Sequence, residues 1–374
     1  MRQRALQTVL LVHAIEQTDL AGDALSLEDR AQAGREAAGD RSLPAADASA
    51  AQLNGDSERF LARRADSLLA RLRIRSPGVD RVLAAASGPT GLDRAILLLG
   101  LLIGFGATFA DGSRIDIFAY PLIVLVIWNL IVYITLIVRT CGPARRSGHI
   151  APAAGIAAGG GDEAAAWKDG FFRRWLARTY ANRVRARIEA LIVHSIGFNA
   201  PLAPGLRRFA ADWSEVGRPL FRERSRRLLH LAAILVGVGL IAGYAFRGRV
   251  LHQAAGWGMS VFGPSSAHTA LVTLYGAASG IFRIPIPTTQ SIQTLAWTSP
   301  TTGGGPDGPW LSLIACTAVI YIVAPRVIAS IVTTLSLWRH AMSLRAPPSF
   351  VGYLTAVLRP LSAAPESPPA GSPG

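Results

Sequence analysis

His230, His252 and His268, with Cys141 and Cys316, are the side chains best suited to metal or proton chemistry, and their placement supports neither. No carboxylate or second ligand accompanies the histidines at ligand spacing, and the two cysteines form neither a disulfide framework nor a metal cluster. Lys168 is the one lysine and follows Trp167, so no Gly-Lys pair exists and no phosphate-binding loop can be built. A His-Glu-x-x-His run and a nucleophile elbow are likewise missing. Gly237, Gly239 and Gly243 look like a nucleotide loop, but they lie in an apolar run. There Gly239-x-x-x-Gly243, like Gly100-x-x-x-Gly104, lets two helices approach closely. The expectation is a protein that is not an enzyme and carries no cofactor.

The elements that carry these residues belong to a membrane. The 374 residues are 50% hydrophobic and 17% charged, with a mean hydropathy of +0.32. Soluble domains carry about 25% charged residues. The formal charge is +14. Apolar runs flanked by arginine point to a bilayer and not to nucleic acid. A crossing helix needs about 20 apolar residues. Four segments qualify: 95–110, 117–138, 228–246 and 308–326. The expected fold is therefore an all-α integral membrane protein with four transmembrane helices.

Arginine placement orients them. Residues 139–227 hold seventeen basic and seven acidic side chains, whereas 247–309 hold three and one. Both termini and the 139–227 segment are expected in the cytoplasm, and a small helical subdomain, 247–307, outside it. Residues 250–282 carry no formal charge, and Ala267–Phe282 leaves a re-entrant or fifth segment open. Residues 1–93 read as short cytoplasmic helices, the first an amphipathic helix over Arg4–Thr18 and not a signal peptide. Residues 94–138 form a transmembrane hairpin, 142–161 a mobile loop, and 327–374 a cytoplasmic tail, disordered from about 360.

Two groups stand out as interface candidates. From Glu163, Trp167, Phe171 and Trp175 recur every four residues, with Phe172, Tyr180, Val184 and Ile188 beside them. Arg173, Arg174, Arg178 and Arg185 lie off that stripe. Such a helix either lies on an anionic leaflet or packs against the N-terminal helices. Tyr244, Trp257 and Arg247 suit the membrane interface, with Arg247 snorkelling to phosphate. His230 reads as a helix–helix hydrogen-bonder. Arg326, nineteenth from Gly308, falls where the cytoplasmic interface should lie and reads as an interfacial anchor. No charged residue is expected mid-span.

Several short motifs together resemble an uncharacterised bacterial membrane family, domain of unknown function 2868. They are Ala5-Leu6 through Val12-His13-Ala14-Ile15-Glu16-x-x-Asp19, then Asp29-Arg30, and Phe60-Leu61-Ala62-x-Arg64-Ala65. Leu229-His230-Leu231, Gly243-Tyr244-x-x-Arg247-Gly248, Gly256-Trp257, His268 and Pro325-Arg326 follow in order. The family tends to carry an acidic residue after Gly-Trp, where this chain has Gly258. The resemblance implies a bacterial inner-membrane protein with no known enzymatic activity and a functional link to a GTPase.

The reading of function is a membrane scaffold or anchor whose cytoplasmic helices recruit or regulate a soluble partner. The lipid bilayer is a second partner, nucleic acid is not expected, and a homo-oligomer is left open. The alternative is a channel or transport component with a re-entrant element at 250–282.

Overall fold

The computed structural model describes the chain except residues 40–52, 88–90, 112–113, 142–161, 195–199, 259–262, 298–304, 306–307, 343–346, 348 and 363–374. Side chains at 111, 135–141, 162–174, 176–177, 194 and 200 also lie outside the described set. In chain order the helices are α1 (Gln3–Thr18), α2 (Leu27–Ala38), α3 (Gly55–Arg75), α4 (Val79–Ser87), α5 (Gly91–Ala107), α6 (Tyr120–Cys141) and α7 (Asp162–His194). Then come α8 (Ala203–Val216), α9 (Arg218–Arg249), α10 (Pro264–Phe282), α11 (Thr289–Thr294), α12 (Gly308–Ala318), α13 (Ala324–Met342) and α14 (Ser349–Ser362). A single π-helical turn, Val319–Val323, joins α12 to α13 without a break. Among the described residues the chain is mostly helical, with a short parallel pairing of β1 (Ile115–Asp116) with β2 (Ala255–Gly256) and isolated bridges from Ala255 to Gly305 and from Trp257 to Ala296. Among the described residues three stretches are long and apolar enough to cross a membrane: Val79–Ala110, Arg218–Arg249 and Gly308–Met342.

The helices fall into two units. The first comprises Met1–Thr90, Ala166–Ser225 and Leu335–Gly374. Its centre is α1, where every residue from Leu6 to Ile15 is buried. The sequence reading of an amphipathic helix is thereby corrected. Gln7 and His13 are buried with their apolar neighbours because α1 is covered all round, and a helix apolar on every side belongs in a core. The Asp19 carboxylate ends the helix by accepting the N–H groups of Asp23, Ala24 and Leu25, and it pairs with Arg30 at 3.1 Å. Those bonds and the Arg30 charge hold the Asp19 carboxyl below the usual carboxylate range, although burial alone would raise it. Ser26 and Asp29 then form a reciprocal cap that starts α2.

All three chain segments contribute to one core. Phe60, Leu68 and Leu72 of α3 share it with Tyr180, Val184 and Ile188 of α7. Phe209 and Trp213 of α8 join them, together with Phe350, Leu354 and Leu358 of α14. Helix α14 runs to Ser362, so the tail expected to lose order near 360 is helical to that point. The loop expected at 142–161 lies outside the described residues.

The second unit comprises Gly91–Ala165 and Arg226–Thr334. Its closest crossing is between α5 and α9. A Cβ at Gly100 would sit 2.9 Å from the Ala232 carbonyl, and one at Gly104 would strike the Val236 carbonyl. From the other side, Gly239 abuts the Leu101 carbonyl and Gly243 that of Phe105. The contacts advance together along both helices, so the two run parallel. The two Gly-x-x-x-Gly pairs meet each other, and only the absence of Cβ allows backbone to rest on backbone.

The remaining core of this unit packs α10, α11 and α12 around the β1–β2 pairing. Tyr275 donates its hydroxyl to the Ile117 carbonyl at 2.7 Å, and the Trp257 indole donates to the Ile292 carbonyl at 2.8 Å. Ala255, Trp257, Ala267, Leu271 and Tyr275 are thereby tied into this core. Helix α10 falls outside the three membrane-length stretches.

Candidate functional site

The first unit has a polar junction built by α1, α3 and α14. Arg64 reaches Glu16 with both Nη atoms, at 2.6 and 3.0 Å, and donates to the Tyr353 hydroxyl at 2.7 Å. Tyr353 in turn donates to Glu16. Burial, and then the Glu16 charge, hold the Tyr353 hydroxyl well above its ordinary pKa, so it stays a donor. Beside it the His13 ring packs tilted against Phe350 and edge-on against Tyr353, with ring centroids 4.8 and 4.5 Å away. Its Nε2 bonds the Gln17 amide at 2.9 Å, and burial pushes its pKa down. A cleft of about 790 Å³ between α1, α8 and α14 is lined by His13, Glu16, Arg208, Asp212 and Tyr353. Glu16 and Arg64 both belong to motifs noted in the sequence. Tyr353 carried no signal, because nothing local marks a tyrosine that closes an ion pair on the first and third helices.

In the second unit, Arg247 is fully buried, and so are Tyr244 and Trp257, at 1% exposure or less. The interfacial, snorkelling role expected of them is corrected. The Arg247 guanidinium donates to the carbonyls of Thr108 and Arg114 and, at 2.7 Å, to Gln253 Oε1. It lies over the Phe109 and Tyr244 rings. It therefore ties the ends of α5 and α9 to the chain leading into both short strands. Gly248 is buried beside it, and a Cβ on Gly256 would sit 2.7 Å from the Leu295 carbonyl. This motif is a clamp. Its chemistry is carbonyl satisfaction, since a planar five-donor fork can serve three acceptors at once.

Arg326 is placed differently from the sequence reading too. The helix continues unbroken past it to Met342. Its Nε donates to Asn129 Oδ1 at 2.8 Å, and its guanidinium lies 5.5 Å from the centre of the Tyr133 ring. Asn129, 3% exposed, also accepts the Tyr133 hydroxyl at 3.2 Å. Arg326 thus turns into the helix bundle, where an interfacial anchor would turn out to water.

His230 and His268 are half-buried on α9 and α10. Among the described residues no group of three or more histidine, cysteine or acidic side chains could hold a metal ion. On α7, Tyr180, Val184 and Ile188 enter the first unit's core while Arg178, Arg185 and Trp175 are exposed. The side chains of Trp167, Arg173 and Arg174 lie outside the described residues. Compared with known proteins, the chain matches no family model, no curated protein and no solved structure.

Proposed function

We propose that the chain is a non-enzymatic anchor of the bacterial inner membrane, crossing it four times with both termini inside. Its cytoplasmic helical unit recruits a soluble partner. The observation that carries this reading is the composition of the first unit's core. One core takes side chains from before α5, from between α6 and α9, and from after α13. A single packed core lies on one side of a bilayer, so an even number of crossings separates each contributing segment from the next. Helices α5 and α6 supply two, α9 and α12–α13 two more, and a fifth crossing at α10 would break the parity. The parallel course of α5 and α9 supports the same path, because alternate spans cross in the same sense.

The basic 139–227 segment supports placing the core on the cytoplasmic side. The exposed Arg178 and Arg185 on α7 offer a partner-facing surface, and the resemblance to domain of unknown function 2868 favours a GTPase as that partner.

Single cysteines at Gly55, Ser147, Ser265 and Ser367, in a chain without Cys141 and Cys316, test the topology. With an impermeant thiol reagent on intact cells, the cysteine at position 265 alone is expected to label, and labelling at 147 refutes the four-span path. Purification from native membranes is expected to recover a stoichiometric partner that is lost on R178Q/R185Q. Recovery of lipid alone refutes the scaffold.

A further inference from the structure

The cleft between α1, α8 and α14 lies wholly within the first unit, so what it binds is independent of the path through the membrane. Its volume of about 790 Å³ is that of a small-molecule site. Helix α1 contributes Leu10, His13 and Gln17, which share one face at spacings of three and four residues. Helix α8 contributes Arg208, Asp212 and Glu215 in the same way, and α14 contributes its first turn, with Ser349, Phe350 and Gly352.

His13 is the wall residue with an unmet bond. It is 7% exposed, and among the described residues its Nδ1 has no hydrogen-bond partner. The Gln17 amide nitrogen can only donate, so Nε2 accepts, and the neutral ring has its one proton on Nδ1. A buried donor left unpaired is costly, which calls for an acceptor in the cleft. Arg208 stands close enough for its charge to act on the His13 ring. No hydrogen bond among the described residues holds the Arg208 guanidinium. The first turn of α14 adds the positive end of a helix dipole to the same wall. All three features favour a carboxylate.

The opposite charge is present too. Asp212 also acts on the His13 ring, yet it meets Arg208 only at 3.9 Å, and Glu215 meets Arg218 only at 3.8 Å. Such loose pairs near the surface contribute little, so both carboxylates stay open to a cation. Glu16, by contrast, is already answered by Arg64 and Tyr353. A wall with unmet charge of both signs suits a ligand that has both. Leu10, Val216, Phe350 and Ala356 supply apolar lining beside them.

We propose that this cleft binds a small zwitterion, with the chemistry of a free amino acid bearing an apolar side chain. Its carboxylate pairs with Arg208 and accepts the His13 Nδ1–H, its ammonium pairs with Asp212, and its side chain lies against Leu10, Val216 and Phe350. This gives the first unit a ligand-binding function separate from partner recruitment.

Equilibrium dialysis of the purified full-length protein tests it, with radiolabelled L-leucine and L-phenylalanine as probes. Each is compared with its decarboxylated amine and its deaminated acid. At least one amino acid is expected to bind saturably at about one per chain, with its amine and its acid each at least about tenfold weaker. R208Q and D212N alter groups at the open edge of the cleft, and each should weaken the amino acid at least about tenfold with the melting temperature unchanged. Nothing lies within 4 Å of a Cβ at Gly352, so G352L adds a side chain in open space at the cleft wall without striking the fold. Replacing a glycine inside a helix is itself favourable. G352L should therefore melt no lower than wild type and lose binding. The proposal is overturned if neither amino acid binds saturably, or if an amine or acid binds as tightly as its parent. Binding unchanged in R208Q and D212N, or in G352L, overturns it equally.

Discussion

Glu16 and Arg64 form a two-pronged ion pair across 48 residues of sequence, with side chains only 9% and 5% exposed. It joins α1 to α3 inside the first unit, and Tyr353 completes it from α14. Removing one member of a buried pair typically costs about 3–5 kcal/mol, because the other charge is left in low dielectric. R64A is therefore expected to lower the unfolding midpoint of the purified protein sharply. The double variant E16L/R64M should recover most of that loss. Y353F should cost about 1.5–3 kcal/mol, the value of a hydrogen bond to a charged group. Equal loss in the single and double variants would show that the pair's electrostatics are not what holds α1 to α3.

His13 makes a pH-dependent contribution with a definite sign. Burial lowers its folded-state pKa below 6.5; Asp212 and Glu16 oppose that shift, and Arg208 reinforces it. The neutral ring is therefore the form that the fold favours. Its contribution is fully present above pH 6.5 and is lost as pH falls through the depressed folded value. The depressed Asp19 and Asp29 carboxyls lose their contributions only at lower pH, below about 4. Melting temperature should accordingly fall between pH 7 and 5 in wild type and fall less in H13N.

The α5–α9 crossing predicts a contrast between glycines four residues or fewer apart. At Gly104 a side chain would run into the Val236 carbonyl, whereas at Gly106 nothing lies within 4 Å. G104L should cost more than the 1–3 kcal/mol typical of overpacking, since backbone and not a side chain must move. The yield of monodisperse protein in detergent measures it, with G106A as the matched control expected at wild-type yield.

At Arg247 the expected effect is on folding. R247A leaves the Thr108 and Arg114 carbonyls and Gln253 without their donor, at about 1–3 kcal/mol for each buried group. R247K should be nearly as damaging, because an ammonium cannot span three acceptors set in different directions. Normal abundance of either variant in the membrane fraction would contradict the clamp.

Helix content and membrane character follow from the sequence because both are local. An uncharged run such as 228–246 needs no partner to prefer hydrocarbon, and the spacing of Phe60, Leu61, Leu68, Leu69 and Leu72 describes α3 wherever it packs. The small-residue pairs on α5 and α9 were equally legible, since a glycine four residues from another marks a flat helix face. What each polar side chain does was not legible. Arg247 and Arg326 sit at the ends of apolar runs, where hydropathy alone reads an anchor, yet one clamps carbonyls over a hundred residues away and the other bonds Asn129. Their partners lie on other helices, and an arginine's long flexible side chain reaches whichever acceptor tertiary packing brings near. For the same reason α1 looked amphipathic from its own residues and became a core helix only once α3, α8 and α14 covered it, because burial belongs to the neighbours as much as to the chain.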